Sequence, residues 1–401
     1  MAETDAAKPQ GSVGEVFRAF LILGFTAFGG PVAHLGYFRE AFVARRRWLD
    51  EAAYADLVAL CQFLPGPASS QVGIALGLTR AGLGGALAAW LAFTLPSALL
   101  LVAVGYGATA FGGLDSGILH GLKIVAVAVV AQAVLGMGRS LCPDRERASL
   151  AVAAAVLLLL WSSPWAQILV ILAGALFGAF WLKLPAKPTG APLPVTVGRG
   201  AALACLAAFF LLLAGLPLLA GAGELQSLAL FDVFYRAGAL VFGGGHVVLP
   251  LLQAEVVPPG WVSNDLFLAG YGAAQAVPGP LFTFAAYLGT VSAPPNGWLG
   301  AAIALLGIFL PAWLLVLGTL PFWNLLRGRP GAQSVLAGVN AAVVGLLLAA
   351  LYDPIFTSAI RAPADLALAA VAFGLLAFWK VPPWLVVVLT ALGGGGLAAL
   401  D

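Results

Sequence analysis

Charged side chains are scarce in this sequence. Of its 401 residues, 19 are Lys or Arg and 17 are Asp or Glu, which together make 9% of the chain, whereas soluble domains carry about 25%. Hydrophobic residues make 62%. This balance excludes an ordinary soluble domain and predicts an all-α polytopic membrane protein surrounded by a lipid bilayer. The net charge is +2 and the basic residues lie in short loops, and we expect no nucleic acid as a partner.

Cysteine and histidine are also rare, with three of each. The cysteines, Cys61, Cys142 and Cys205, have no spacing that suggests a disulfide framework or a metal site. The apolar segments contain no cluster of His, Asp and Glu. An enzyme embedded in the membrane and acting on a lipid or polyprenyl phosphate would need such a cluster. We therefore expect no enzymatic activity, no cofactor and no metal ion.

Long apolar runs are abundant instead. A run of about 20 apolar residues spans the hydrocarbon core of a bilayer as an α-helix. The continuous candidates are 83–110, 117–138, 148–162, 164–183, 200–221, 297–319, 335–351, 364–380 and 382–399.

Four further apolar stretches are interrupted by glycine and proline. They are 14–44 at Gly29-Gly30-Pro31, 54–80 at Pro65-Gly66-Pro67, 229–254 at Gly243-Gly244-Gly245, and 265–291 at Pro278-Gly279-Pro280. Proline inside a helix removes a backbone donor, and irregular backbone at membrane depth persists only where protein or a wet cavity covers it. We predict half-helix pairs or re-entrant hairpins at these four places.

The two halves of the chain repeat the same landmarks in the same order, at offsets of 213–217 residues. The first half has Phe28-Gly29-Gly30, Trp48, Gln62-Phe63-Leu64-Pro65-Gly66-Pro67, Leu95-Pro96 and Gly121. The second half has Phe242-Gly243-Gly244, Trp261, Gln275-Ala276-Val277-Pro278-Gly279-Pro280, Leu310-Pro311 and Gly338. A duplicated apolar chain with broken segments at matching places is typical of secondary transporters, in which the broken segments form the substrate site.

Loop charges indicate that the two repeats have inverted topology. The predicted units are a polar tail 1–13, a first transporter repeat 14–184, a linker 185–225 that includes an extra helix 200–221, and a second repeat 226–401. Loop 31–53 holds four arginines, whereas its counterpart 245–264 has Glu255 and no Lys or Arg. Basic loops face the cytoplasm. With hairpins at the four breaks, the N-terminus is cytoplasmic and the C-terminus periplasmic or extracellular. If all four stretches span instead, the repeats stay inverted but Arg45–Arg47 lies outside.

The two Pro-Gly-Pro elements are candidates for an anion site. A helix that starts with proline at its first position leaves the next N–H groups unpaired at the positive end of the helix dipole, and such a start binds anions. The alternative is a kink that serves packing. The residues assigned to this site are Gln62, Gly66, Ser69, Ser70, Gln275, Gly279 and Thr283.

The Phe-Gly-Gly elements form the second pair of breaks, where glycine allows a ligand to approach the backbone or helices to pack closely. Lys123 and its repeat counterpart Asn340 lie in apolar runs. A charged residue inside the membrane usually has a function. The alternative for Lys123 is that its long side chain extends to the membrane interface. These elements add Gly29, Gly30, Gly243, Gly244, Lys123 and Asn340 to the substrate site.

Two histidines follow the Phe-Gly-Gly breaks. His34 and His246 are offset by two positions between the repeats, so they are not strict equivalents. Either side chain is a candidate to carry a coupling proton, and a structural role is the alternative.

Taken together, these motifs resemble the chromate ion transporter family in its long two-domain form. The motifs are Gly24-Phe25-Thr26-Ala27-Phe28-Gly29-Gly30-Pro31, Arg45-Arg46-Arg47-Trp48, Gln62-Phe63-Leu64-Pro65-Gly66-Pro67 and their echoes, over about 14–399. The resemblance implies a bacterial inner (plasma) membrane protein that exports chromate and confers chromate resistance, driven by the membrane potential or a proton gradient. Well-known members carry glutamate directly after the first Pro-Gly-Pro, where this sequence has Ala68.

The expected function is therefore transport of a tetrahedral divalent oxyanion, with chromate first and sulfate as its nearest isostere. A sulfate or other small-anion transporter or exchanger remains an alternative, as does a passive anion channel. A homodimer is left open as well.

Overall fold

The computed structural model of the chain describes residues 11–110, 116–161, 164–184, 197–223, 225–242, 245–323 and 330–398. All regular elements in these ranges are helical. The α-helices are α1 (Val13–Thr26), α2 (Gly30–Phe38), α3 (Glu51–Phe63), α4 (Ala68–Ala110), α5 (Ser116–Leu141), α6 (Arg145–Leu160), α7 (Pro164–Trp181), α8 (Arg199–Ala222), α9 (Gln226–Leu240), α10 (Val248–Val256), α11 (Asn264–Ala274), α12 (Phe284–Val291), α13 (Gly297–Thr319), α14 (Pro330–Ala350), α15 (Pro363–Ala377) and α16 (Pro383–Ala398).

Short turns of other types extend several of these helices. Two π-helical turns, Arg39–Arg45 and Leu351–Phe356, follow α2 and α14, and the second leads into a single α-helical turn, Thr357–Ala359. Two 3-10 turns, Gly245–Val247 and Leu281–Thr283, precede α10 and α12. The second Pro-Gly-Pro element therefore leads into a 3-10 turn and only then into an α-helix, whereas α4 follows the first Pro-Gly-Pro element directly.

Several helix starts are fixed by polar side chains at the ends of the loops. The side chains of Ser12, Asp50, Asp144 and Ser263 accept hydrogen bonds from N–H groups in the first turns of α1, α3, α6 and α11. These N–H groups have no partner within the helix, so a side-chain acceptor stabilises the start. Four helix starts are thus stabilised by polar side chains of a largely apolar chain.

The four interruptions predicted from glycine and proline are breaks between helices. Gly29 and Gly30 have φ of +99° and +77°, and the middle glycines of the two Pro-Gly-Pro elements, Gly66 and Gly279, have φ of +120° and +93°. Only glycine adopts this left-handed backbone readily. Gly243 and Gly244, at the third break, lie outside the described residues.

The nine continuous segments predicted to span the membrane are helical over most of their length, and the protein is a multi-pass membrane protein. Five helical segments are long and apolar enough to cross a bilayer: Ala68–Thr109, Gly117–Leu141, Arg199–Ala222, Gly297–Phe322 and Gly331–Ala359. The first is kinked at Ala81 and Gly82, where the backbone is not helical, and the last is interrupted at Asp353. The helix predicted within the linker, α8, exposes Phe210, Leu211 and Leu218, as expected for a helix that faces lipid.

The packing of the helices interlaces the two halves of the sequence. Early helices pack within their own half, α1 on α4 and α9 on α13. Later helices pack across: α5 of the first half contacts α15 and α16, and α14 of the second half contacts α6 and α7. The repeat-equivalent glycines Gly121 and Gly338 permit this, since a Cβ on either would collide with the backbone of the opposite half, at Thr390 and Gly174 respectively.

The ends of the predicted units are only partly described. Residues 1–10 of the tail and 185–196 of the linker lie outside the described residues. Gly11, within the predicted tail, donates its N–H to the carbonyl oxygen of Arg80 at 3.1 Å.

Candidate functional site

A cavity of about 60 Å³ lies where breaks from the two halves meet. It has room for several water molecules, because one water needs about 10–15 Å³. The lining residues are Gly29, Gly30, Val129, Gln132, His246, Ala274, Gln275, Val277, Gly279, Leu281 and Pro383. Five of the predicted substrate-site or coupling residues therefore come together here: Gly29, Gly30, His246, Gln275 and Gly279.

The breaks are joined crosswise by two backbone hydrogen bonds. Gly279 of the second Pro-Gly-Pro element donates its N–H to the carbonyl oxygen of Ala27, just before the first Phe-Gly-Gly element, at 2.9 Å. Gly66 of the first Pro-Gly-Pro element donates to the carbonyl oxygen of Val241, just before the second Phe-Gly-Gly element, at 2.7 Å. Each half thus supplies one donor and one acceptor at equivalent positions.

The two Pro-Gly-Pro helix starts do not both adjoin the cavity. The cavity is lined instead by Gly30, where α2 begins, and by Leu281, where the second Pro-Gly-Pro helix begins. Gly245 lies between these starts, since a Cβ built on it would make ordinary van der Waals contact with Leu281 at 3.6 Å and with Pro31 at 3.7 Å. Two helix starts from different halves therefore adjoin the cavity, and their dipoles favour an anion.

The two repeat-equivalent glutamines have different surroundings. Gln275 lines the cavity, and its Nε2 atom is buried without a hydrogen-bond partner among the described residues. Gln62 is exposed and is not among the lining residues. A buried amide nitrogen without an acceptor is costly, so the Gln275 side chain is suited to an acceptor-rich ligand in the cavity.

His246 lines the cavity from the 3-10 turn Gly245–Val247, directly after the third break. Its Nδ1 atom lies 2.7 Å from the phenol oxygen of Tyr271 on α11. The tyrosine side chain is fully buried, so this contact is made away from solvent.

His34 lies outside the cavity lining and is 1% exposed. Its Nε2 atom is 3.1 Å from the Ala27 carbonyl oxygen, and its Nδ1 atom is 3.3 Å from Ser69 Oγ. Because a carbonyl oxygen only accepts, Nε2 must carry the proton. His34 therefore ties the first Phe-Gly-Gly break to the start of α4.

Comparison with known protein families also divides the chain into two matching segments, each of which contains one Phe-Gly-Gly and one Pro-Gly-Pro break. The family model described as Chromate transporter matches the chain in two segments, residues 14–179 and 228–395. The chain belongs to the chromate transporter family. No solved structure matches it.

Curated relatives of the transporter extend over most of its length. It is 30% identical to the chromate transport protein of Pseudomonas aeruginosa over 98% of this chain and 94% of that relative. It is 28% identical to the chromate transport protein of Cupriavidus metallidurans, over 96% and 93% of the two chains, and 28% identical to a probable chromate transport protein of Synechococcus elongatus, over 85% and 84%.

Three predicted hydroxyl groups of the transporter do not line the cavity. Thr283 donates both its hydroxyl and its N–H to the Pro280 carbonyl oxygen, at 2.7 and 3.0 Å, so both donors are used within its own turn. Ser69 contacts His34. Ser70 is buried, and its Oγ has no partner among the described residues.

Lys123 and Asn340 also lie outside the cavity lining of the transporter. Lys123 is 3% exposed, and its Nζ donates to Asp265 Oδ1 at 2.8 Å, which pairs α5 with α11. Asn340 has a buried Oδ1 without a partner in the described part of the chain. Its helix α14 contacts the 3-10 turn that carries His246.

Sequence reasoning missed two polar side chains at the transporter's breaks. Gln132 lines the cavity and donates its Nε2 to the Leu376 carbonyl oxygen at 3.2 Å. It is an isolated amide in the apolar run 117–138, the same signal that drew attention to Lys123. Gln71 donates its Nε2 to the Pro65 carbonyl oxygen at 2.7 Å, which braces the first Pro-Gly-Pro break.

Proposed function

We propose that the protein exports chromate across the bacterial inner membrane and binds the dianion in the cavity between Gly30 and Leu281. The observation that carries the proposal is the convergence there of two helix starts, one from each half, with an unpaired Gln275 amide nitrogen. The curated relatives named as chromate transport proteins support chromate as the anion.

Binding in this cavity would rely on neutral donors. No Lys or Arg is among the described lining residues. An isolated charge in the membrane interior is costly, and helix starts with N–H donors offset that cost without a fixed opposite charge. A transporter must also release its substrate, and a site of neutral donors holds a dianion less tightly than a site with a buried cation.

The membrane potential favours the outward direction. A dianion gains about 4.6 kcal/mol on leaving a cell for each 100 mV of inside-negative potential, at about 2.3 kcal/mol per charge. That is enough for export without a coupling proton. A proton gradient remains the second candidate for the driving force.

Alternating access would follow from two inverted repeats that rock about the crossed breaks. The reciprocal bonds from Gly66 to Val241 and from Gly279 to Ala27 support equivalent roles for the two halves. In this proposal α8 is the extra crossing that lets the second repeat start on the opposite face. Ser70, near the other pair of breaks, would meet the anion in the alternate state.

The test is chromate flux in proteoliposomes that contain the purified protein. We expect chromate flux that responds to an imposed inside-negative potential and is only weakly inhibited by equimolar sulfate. A further dependence on a pH gradient would assign proton coupling. Flux abolished by equimolar sulfate would replace chromate with sulfate as the substrate. Flux that neither saturates with chromate concentration nor shows counterflow would indicate a channel.

A further inference from the structure

His246 places one ring nitrogen against Tyr271, and the ring also lines the cavity. We infer that Tyr271 is a positioning residue that keeps His246 neutral in the Nε2–H form, so that the histidine presents an N–H donor to an oxyanion in the cavity. The inference deepens the proposed function and rests on it for the identity of the ligand.

The direction of the hydrogen bond follows from the burial of the phenol. Tyr271 is 0% exposed, and His246 Nδ1, 2.7 Å away, is the hydrogen-bond partner of its Oη among the described residues. A buried O–H that lacks an acceptor is costly. If Nδ1 carried the proton, it would donate to the phenol oxygen and leave the phenol hydrogen without an acceptor. Nδ1 therefore accepts, and the proton of the neutral imidazole lies on Nε2.

The position of that proton decides what the cavity offers a ligand. An Nε2–H donates to the oxygen of a dianion, whereas an unprotonated Nε2 would turn its lone pair toward oxygens that are themselves only acceptors. No hydrogen bond joins His246 Nε2 to another described side chain or carbonyl, so the donor is free for a ligand. A second proton on the ring would need Nδ1, where the phenol already donates. Tyr271 thus disfavours a role for His246 as the carrier of a coupling proton.

The other two histidines differ from His246. His34 has both ring nitrogens engaged, at Ala27 and Ser69. His120 directs its Nε2 to Asp365 Oδ1 at 2.8 Å. Three histidines in three distinct settings make the full-length protein suitable for selective labelling.

The experiment is ¹⁵N NMR of the full-length protein labelled only at histidine, in lipid nanodiscs, with His246→Gln used for assignment. We expect His246 to show a protonated Nε2 and an unprotonated Nδ1. Added chromate should shift the Nε2 resonance. Tyr271→Phe should shift the Nδ1 resonance to that of an imidazole nitrogen without a hydrogen bond. Because the ring is then no longer held toward the cavity, the KM for chromate should rise about tenfold, the effect of one lost hydrogen bond to a charged group, with the maximal rate nearly unchanged.

Tyr287→Phe is the matched control. Tyr287 is equally buried on the neighbouring α12, but its hydroxyl donates to the Leu266 carbonyl oxygen at 2.9 Å. Its loss should leave the His246 resonances and the KM unchanged.

The outcomes separate the inference from the proposed function. A wild-type His246 protonated at Nδ1, or a Tyr271→Phe spectrum identical to wild type, overturns the inference even if chromate is transported. The expected tautomer in a protein that neither binds nor moves chromate upholds the role of Tyr271 and overturns chromate as the ligand. If Tyr271→Phe does not fold, the wild-type tautomer alone decides.

Discussion

The carbonyl oxygen of Ala27 accepts the N–H of Gly279 at 2.9 Å, and the Nε2–H of His34 reaches the same oxygen at 3.1 Å. One acceptor thus joins the first Phe-Gly-Gly break to the second Pro-Gly-Pro break across the two halves. We call this shared hydrogen bonding at the Ala27 carbonyl oxygen the joint. The cavity is lined by Gly29 on one side of the joint and by Gly279 on the other, so the joint sets the distance between these two walls.

Substitution of Gly279 by alanine should disrupt this joint. The residue has φ of +93°, and a Cβ there would lie 2.9 Å from Ser97 Oγ and 3.1 Å from the Phe93 carbonyl oxygen. We expect a lower unfolding temperature and at least about a tenfold loss of chromate flux, equivalent to about 1.4 kcal/mol. The measurements are thermal unfolding in detergent and flux per folded molecule.

Two other glycines calibrate that result. Gly66→Ala should cost less than Gly279→Ala, because its Cβ would crowd one side-chain atom, Gln71 Nε2 at 2.9 Å, and no backbone atom as closely as Gly279 meets the Phe93 carbonyl oxygen. Gly260, with φ of +77° and no atom within 4 Å of its Cβ, isolates the backbone strain alone, about 1–2 kcal/mol. If Gly260→Ala impairs flux as strongly as Gly279→Ala, the close approach at the joint has no special role.

The repeat-equivalent glutamines offer a second test. Gln275→Leu removes the unpaired buried amide from the cavity, and we expect the KM for chromate to rise about 10- to 100-fold, as for a lost hydrogen bond to a charged group of about 1.5–3 kcal/mol. Gln62→Leu, at an exposed position outside the cavity lining, should leave the KM within about twofold. If both substitutions raise the KM equally, the chromate site is not confined to the cavity that Gln275 lines.

The pair between Lys123 and Asp265 should prove structural. Asp265→Asn leaves the buried ammonium without its charged partner, and we expect a stability loss of about 2 kcal/mol. Lys123→Met removes the charge itself and leaves a carboxylate that is 60% exposed and hydrated, so its effect should be smaller. The KM for chromate should stay near the wild-type value in Lys123→Met. A folded Lys123→Met protein that has lost chromate binding would instead assign this lysine to the substrate.

The sidedness of two equivalent loops tests the inverted topology. Arg46 and Pro259 are exposed in loops that follow the first and third breaks. In a background with alanine at Cys61, Cys142 and Cys205, a membrane-impermeant maleimide should label Pro259→Cys in intact spheroplasts. Arg46→Cys should react only after permeabilisation. Labelling of both positions from the same side would exclude inverted repeats.

The breaks could be predicted from the sequence because their cause is local. Glycine has no Cβ and therefore adopts positive φ, which ends a helix. Proline has no backbone N–H and therefore leaves a helical hydrogen bond unmade. Positive φ at Gly29, Gly66 and Gly279 confirms those interruptions. Helix extents were predictable for a similar reason, since an apolar run in lipid must satisfy its own backbone as a helix.

The pairing of the breaks could not be predicted, because it depends on contacts between distant parts of the chain. Gln62 and Gln275 stand in the same motif, yet one is exposed and the other lines the cavity. The difference comes from α5 and α16, which bring Gln132 and Pro383 to one pair of breaks. No local pattern in the sequence distinguishes the two glutamines.

The exchange of helix partners between the halves also bears on how the protein is made. Helix α5 leaves the ribosome long before α15 and α16, against which it packs. At about 5–20 residues per second the wait is on the order of ten seconds or more. Helices α6 and α7 likewise wait for α14, their partner in the second half. During synthesis the surface of α5 that α15 and α16 later cover is therefore exposed to the membrane. A chain truncated after α14 contains every residue of the first half but lacks the helices that cover this surface of α5.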